Sequence, residues 1–133
     1  MEPIQVRPKQ HSPRWQGPDA KGALPAAEPL RSWLLETGSL TARIRHSGDR
    51  FALELLGEGV EPANPDDLRL LGSSDRSLHV RRVRLSGHGT QLVFACTLVP
   101  LQTLARHRWL ANLGDQPLGD ALASQAEISR TDF

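Results

Sequence analysis

The chain has 133 residues, with 16 Lys or Arg against 15 Asp or Glu, so its formal net charge is only +1. This near balance argues against general nucleic-acid binding, which normally shows as a strong basic excess. The length is typical of one domain. Because Cys96 is the only cysteine, the chain has neither an intramolecular disulfide nor a cysteine-based metal site.

The N-terminal part lacks the pattern of a folded element. Residues 1–28 carry prolines at short intervals with no helical or strand period, which predicts a disordered segment before a single domain at residues 29–133. Residues 1–20 include no apolar stretch of the kind found in secretory signals, and no apolar run is long enough to span a membrane. We therefore expect a cytoplasmic protein.

Two short helices are predicted at the start of the domain. Pro29 is a favourable first helical residue, and Gly38 is a favourable stop. Ser39 is a suitable N-cap for the second helix, which places Leu40 and Ile44 on one face. Both helices therefore offer an apolar side to a core.

The next segment alternates as a strand does. Phe51, Leu53 and Leu55 lie at every second position, which predicts a strand with one buried face. The Gly- and Pro-containing residues 57–77 predict a long connection around one turn of helix at residues 66–71. Long connections in compact domains are often functional.

A β-hairpin and two helices are predicted in the second half. Residues 78–85 and 91–99 are apolar-rich and joined by a short Gly-containing link, and the second arm is expected to be the most buried strand, with Cys96 as an inert buried thiol. A helix at residues 103–113, a short helix from Pro117 and a weak strand at residues 127–131 follow. This order, with no βαβ alternation, predicts an antiparallel α+β fold with short helices flanking the sheet.

Arg81 is the most informative charged residue. Alternate residues of a strand share a face, so Arg81 lies with the aliphatic Val83 and Leu85. A guanidinium in such surroundings is costly unless it meets an anion, and a carboxylate matches its planar fork. The anion is either a ligand or an internal partner, Glu54 or Glu58. Periodicity does not choose between these two interpretations.

Other polar residues give weaker signals. Arg82 and Arg84 point away from Arg81 and are interpreted as a solvated basic face. His79 shares the Arg81 face and could reach a substrate, although a satisfied, partly buried histidine is the simpler interpretation, and the five histidines show no metal-ligand spacing. The Gly- and Pro-containing residues 113–119 predict a tight backbone before a helix start, which is either an anion-binding element or a plain connection.

Five short motifs, in order, resemble those of the bacterial chorismate pyruvate-lyase family. They are Trp33-Leu34-Leu35 with Gly38-Ser39-Leu40-Thr41-Ala42-Arg43, Val80-Arg81-Arg82-Val83, Phe94-Ala95-Cys96-Thr97-Leu98-Val99-Pro100, Leu113-Gly114 with Pro117-Leu118-Gly119, and Ile128-Ser129-Arg130. The resemblance covers the chain from about Leu30 to Phe133. Each motif is weak by itself, but their common order makes chance an unsatisfactory explanation.

The resemblance implies an activity and a binding site. The family splits chorismate into 4-hydroxybenzoate and pyruvate, the first committed step of ubiquinone synthesis, without a metal or an organic cofactor. It implies that Arg81 binds a substrate carboxylate and that Leu40, Leu118 and Gly119 line the pocket. The expected partners are the small-molecule substrate and product, with no nucleic acid and no membrane span, and we expect a monomer.

Three departures from the family pattern bear on this expectation. Arg82 stands where the family has a glutamate, and Cys96 stands where it has an arginine. The family's general-acid glutamate, on a later strand, has no counterpart up to Phe133, so the catalytic residue is unknown and the domain is expected to lack its last strands. Two alternatives follow: a non-catalytic carboxylate-binding module, similar to the ligand-sensing domains of certain bacterial transcription regulators, or an inactive relative.

Overall fold

The structure, a computed structural model, describes residues 27–28, 30–47, 50–125 and 127–131. The Pro-rich segment predicted at residues 1–28 lies outside the described residues except for its last two positions, and the turn predicted at Gly48 and Asp49 also lies outside them.

Three antiparallel strands form one sheet in the described part of the chain. They are β1 (Ala52–Pro62), β2 (Ser77–Gly87) and β3 (Thr90–Pro100), in the order β1-β2-β3. Short helices precede, connect and follow them: α1 (Leu30–Leu34), α2 (Leu40–Ser47), α3 (Pro65–Leu71), α4 (Leu101–Arg106), a 3-10 turn (Arg108–Ala111) and α5 (Leu118–Ala123). The predicted antiparallel α+β class is confirmed. Within the described ranges, no helix has the length and apolar character needed to cross a bilayer.

Helix α2 supplies the core on one face of the sheet. Ile44 is 0% exposed and forms a cluster with Val83 and Leu85 of β2. Leu40, one helical turn before Ile44, packs against the same cluster. The Ser39 hydroxyl accepts a hydrogen bond from the Ala42 backbone N–H at 3.1 Å, which is the predicted N-cap.

Ser39→Ala is expected to destabilise the protein by about 1 kcal/mol, because the first turn of α2 loses its side-chain acceptor. Urea unfolding measures this change. Ser39→Asp is the matched control, since a carboxylate also caps and favours the positive end of the helix dipole. A loss of stability as large in Ser39→Asp as in Ser39→Ala would contradict the capping role.

Strand β1 is longer than the sequence predicted. It pairs with β2 as far as Pro62 opposite Ser77, so the long connection predicted at residues 57–77 is wrong. A register shift between Leu55 and Gly57 breaks the alternation at the point where the apolar pattern stops. The helix predicted at residues 66–71 is confirmed as α3 and is capped by the Asn64 side chain.

The hairpin is confirmed, but the burial of its arms is reversed. His88 and Gly89 connect β2 to β3 with φ of 52° and 72°, the left-handed pair that suits a two-residue hairpin turn. β3 has one described neighbour, and Phe94 on it is 56% exposed. β2 carries most of the buried residues because it has a strand on either side. The prediction that β3 is the most buried strand is wrong.

The C-terminal part follows the prediction incompletely. The helix predicted at residues 103–113 is divided into α4 and the 3-10 turn, because His107 leaves the helical conformation with φ −129° and ψ 67°. α5 is confirmed, whereas residues 127–131 form no strand. The Arg130 guanidinium instead donates to the Thr37 carbonyl oxygen at 3.1 Å, which ties this segment to the α1–α2 connection.

Candidate functional site

The candidate site is centred on Arg81, in the middle of β2. Arg81 is 3% exposed, and its Nη2 donates to the carbonyl oxygens of Gly114 at 2.9 Å and Gln116 at 3.1 Å. These carbonyls belong to the loop before α5, so the loop lies over the sheet face that carries Arg81, Val83 and Leu85. We call this the inner face. Two acceptors fix the guanidinium, while its buried Nε has no hydrogen-bond partner among the described residues.

No described carboxylate forms an ion pair with Arg81. Glu54 pairs with Arg84 at 3.0 Å, and the carboxylate of Glu58, the cross-strand neighbour of Arg81, lies 3.4 Å from His79 Nε2. The structure therefore contains neither of the internal salt bridges considered from the sequence. Carbonyl dipoles compensate a buried charge less well than an anion does. Among the described residues Arg81 thus has no carboxylate at ion-pair distance, and an anionic ligand would supply one.

His79 lies on the inner face two residues before Arg81. It is 6% exposed, so it is buried more fully than expected from the sequence. Its Nδ1 is buried without a hydrogen-bond partner in the described part of the chain. The interpretation of His79 as a histidine with all its polar atoms paired therefore holds for Nε2, which contacts Glu58, and fails for Nδ1.

The other predicted site residues lie on elements that meet at the inner face. Leu40 opens α2 and is half-buried against the core, and Leu118 opens α5 and is also half-buried. Gly119 follows it and is exposed. α2 and α5 are in contact and are joined by an ion pair between Arg45 and Asp120 at 3.2 Å. The fold therefore brings the three elements that carry Leu40, Arg81 and Leu118 together.

The contacts of three further residues around the inner face were not predicted from the sequence, although Glu58 was considered as an ion-pair partner of Arg81. The carbonyls of Gly114 and Gln116 act through the backbone, which side-chain patterns do not report. Glu58 belongs to a segment predicted to be a connection, and only the extension of β1 places it beside Arg81. Gly57 and Gly59, which flank Glu58, are typical of a connection, so the sequence did not predict that β1 continues through them.

The opposite, outer face of the sheet carries ion pairs. Arg82 holds Glu61 in a two-bond pair, with one bond from Nη2 to Oε1 at 3.1 Å, and this carboxylate raises the pKa of the guanidinium. The basic residue in place of the family's glutamate therefore has its own partner on β1. The pairs place Arg82 and Arg84 away from Arg81, as predicted, but Glu61 and Glu54 balance their charges, so the outer face is not the basic face expected from the sequence.

Cys96 lies on the outer face opposite Arg82 and is exposed, so the prediction of a buried thiol is wrong. Its apolar neighbours in sequence suggested burial, but β3 lacks a second described neighbour and its outer face is open. Desolvation raises the pKa of the Cys96 thiol, and the nearby Arg82 offsets this only in part. A raised pKa leaves less thiolate near neutral pH, which agrees with an inert thiol.

Alkylation of Cys96 by iodoacetamide at pH 7 is expected to be slower in the folded protein than in the same chain unfolded in urea. The thiolate is the reactive form, and the raised pKa lowers its fraction in the fold. The difference should shrink as the pH rises through the folded-state pKa. Mass spectrometry of timed samples measures both rates. Faster reaction of the folded chain would contradict the direction of the shift.

The other surface features of the described residues contain none of the predicted site residues and no metal-binding cluster. An open groove of about 340 Å³ is lined by Leu101, Leu104, Ala105, Arg108, Ala111 and Asn112, and none of the predicted site residues belongs to it. The described residues contain no group of three or more His, Cys, Asp or Glu side chains able to hold a metal ion.

Comparison with known proteins identifies the family of the chain. The structure defines an antiparallel α+β protein with a buried arginine facing the connection between its last two helical segments. The chain belongs to the chorismate lyase family, whose sequence profile matches residues 10–133. No solved structure gives a significant match.

Curated relatives carry the name "Probable chorismate pyruvate-lyase". One from Aromatoleum aromaticum is 35% identical over 96% of this chain and 68% of its own length. Others, from Shewanella amazonensis and Marinobacter nauticus, are 42% and 40% identical over 83% and 77% of this chain. The chain spans 56% of the length of each of these two.

Proposed function

We propose that this protein is a chorismate pyruvate-lyase, which removes pyruvate from chorismate to leave 4-hydroxybenzoate. The observation that carries the proposal is the buried Arg81 guanidinium, held by two carbonyls and lacking a described carboxylate partner. Family membership supplies the reaction, and the names of the relatives support it. We further propose that residues 29–133 belong to one monomeric domain, which acts in the cytoplasm and in ubiquinone synthesis.

The reaction needs positioning more than a cofactor. Chorismate is one elimination away from an aromatic ring, because loss of the ring proton beside its hydroxyl and departure of the enolpyruvyl ether complete the aromatic system. An enzyme accelerates such a step by holding the carboxylates in place and stabilising the leaving oxygen. Arg81 is suited to the first task. Its Nε–H is free to donate, and the loop carbonyls hold the guanidinium in a fixed orientation before the ligand arrives.

Leu40 and Leu118 are proposed to contact the ligand ring, with Gly119 leaving space beside them. Both leucines are half-buried, and the helices that they open contact each other. An apolar wall beside a cationic anchor suits a ring that carries a carboxylate, since the wall lowers the local dielectric and strengthens the charge interaction.

The test is to incubate the purified protein with chorismate and to quantify 4-hydroxybenzoate and pyruvate against the spontaneous background. We expect both products in equal amounts, at a rate strongly reduced in Arg81→Ala and nearly unchanged in Arg84→Ala, whose guanidinium lies on the outer face. Binding of 4-hydroxybenzoate without turnover would instead support the non-catalytic carboxylate-binding module. The absence of both turnover and binding would contradict the proposal.

A further inference from the structure

A second polar group on the inner face is buried and unsatisfied beside Arg81. His79 Nε2 lies 3.4 Å from the Glu58 carboxylate, whereas Nδ1 is buried and has no partner among the described residues. A carboxylate only accepts hydrogen bonds, so of the two neutral tautomers of His79 this contact favours the one with its proton on Nε2. In that tautomer Nδ1 is an acceptor. The inner face thus presents a free donor on Arg81 and a free acceptor on His79.

The two groups are spaced along one strand. Positions two residues apart on a strand share a face and are about 6.6 Å apart along the chain. The strand neighbours of His79 on this face are Val60 of β1 and Val99 of β3. Val99 is buried, but Val60 is 60% exposed, so the inner face is open on the β1 side in the described part of the chain. The acceptor is therefore next to apolar surface that a ring could cover.

We propose that His79, positioned by Glu58, determines the specificity of this site by accepting a hydrogen bond from a hydroxyl group of a cyclic carboxylate held by Arg81. The inference rests on the proposed function and extends it. Chorismate and 4-hydroxybenzoate both carry a hydroxyl across the ring from the ring carboxylate. Such a ligand satisfies the Arg81 donor with its carboxylate and the His79 acceptor with its hydroxyl. A site built to bond a hydroxyl discriminates against analogues that lack it.

Comparison of two aromatic acids isolates this contact. Calorimetric titration of 4-hydroxybenzoate and benzoate into the wild-type protein is expected to show about a tenfold preference for the hydroxylated acid, the size of one net hydrogen bond. His79→Phe preserves an aromatic shape and removes the acceptor, so the preference should disappear while benzoate still binds. His79→Asn should keep part of the preference, because its side-chain oxygen can take the place of Nδ1.

Glu58→Gln tests the positioning role, because an amide no longer fixes the tautomer of His79. The preference for 4-hydroxybenzoate over benzoate should shrink in this variant, while benzoate binding is retained. This variant also serves if His79→Phe does not fold, as checked by circular dichroism. An unchanged preference in the folded His79 or Glu58 variants overturns the inference. If the wild type binds both acids equally, the inference fails while the proposed function stands. If the wild type binds neither acid, both fail.

Discussion

Replacement of Arg81 by alanine is expected to weaken 4-hydroxybenzoate binding by about 2–5 kcal/mol, the usual cost of truncating one partner of a desolvated, hydrogen-bonded charge pair. The guanidinium is 3% exposed and lacks a described carboxylate partner, so a ligand carboxylate is its natural counter-ion. Removal of the side chain also frees the carbonyls of Gly114 and Gln116 and loosens the loop that lies over the site.

Two further variants separate this role from general basic charge. Arg81→Lys should not restore affinity, because the ammonium is a compact point charge and lacks the planar fork in which Nη2 holds both carbonyls while Nε keeps a fixed, separate direction. Arg84→Ala should leave affinity nearly unchanged, since Arg84 pairs with Glu54 on the outer face. Calorimetric titration measures all three variants. Equal weakening in Arg81→Ala and Arg84→Ala would show that overall charge matters and that the buried guanidinium has no special part.

Ile44→Ala is expected to lower the free energy of unfolding by about 2–5 kcal/mol, because it removes a fully buried side chain and leaves a cavity between α2 and the sheet. Denaturant unfolding with an unchanged slope measures the loss. Leu70→Ala is the matched control: Leu70 is an aliphatic helical residue that is mostly exposed, so its truncation should change stability by less than about 0.5 kcal/mol. Similar losses in the two variants would contradict the assignment of the core to the inner face.

Local signals in the sequence predicted the elements that local interactions determine. Ser39 caps α2 as expected because capping depends on a few neighbouring residues. The hairpin and α3 were also predicted, since turn residues such as Gly89 act within a short stretch of chain.

Errors arose where tertiary pairing decided the outcome. Gly57, Gly59 and Pro62 are typical of a connection, but pairing with the central strand β2 holds them in β1. The apolar run of β3 predicted burial. Burial also depends on how many strands pair with β3, and the residues of β3 alone do not determine that number.

The candidate site was also predicted only in part: the face on which Arg81 lies was predicted, and its contacts were not. Strand alternation placed Arg81 on the apolar face, and the structure buries it there. The contacts that define its chemistry join residues far apart in the chain, such as Arg81 to Gly114 and His79 to Glu58. Side-chain patterns carry no signal for a backbone carbonyl acceptor, so this half of the site required the three-dimensional structure.

A crystal structure of the protein with 4-hydroxybenzoate tests the central claim most directly. We expect the ligand carboxylate to lie on the inner face and to accept a hydrogen bond from Arg81 Nε at about 2.7–2.9 Å, with the ring between α2 and the loop before α5. A ligand bound elsewhere, for example in the groove lined by Leu104 and Arg108, with the Arg81 guanidinium still held only by the carbonyls of Gly114 and Gln116, would contradict it.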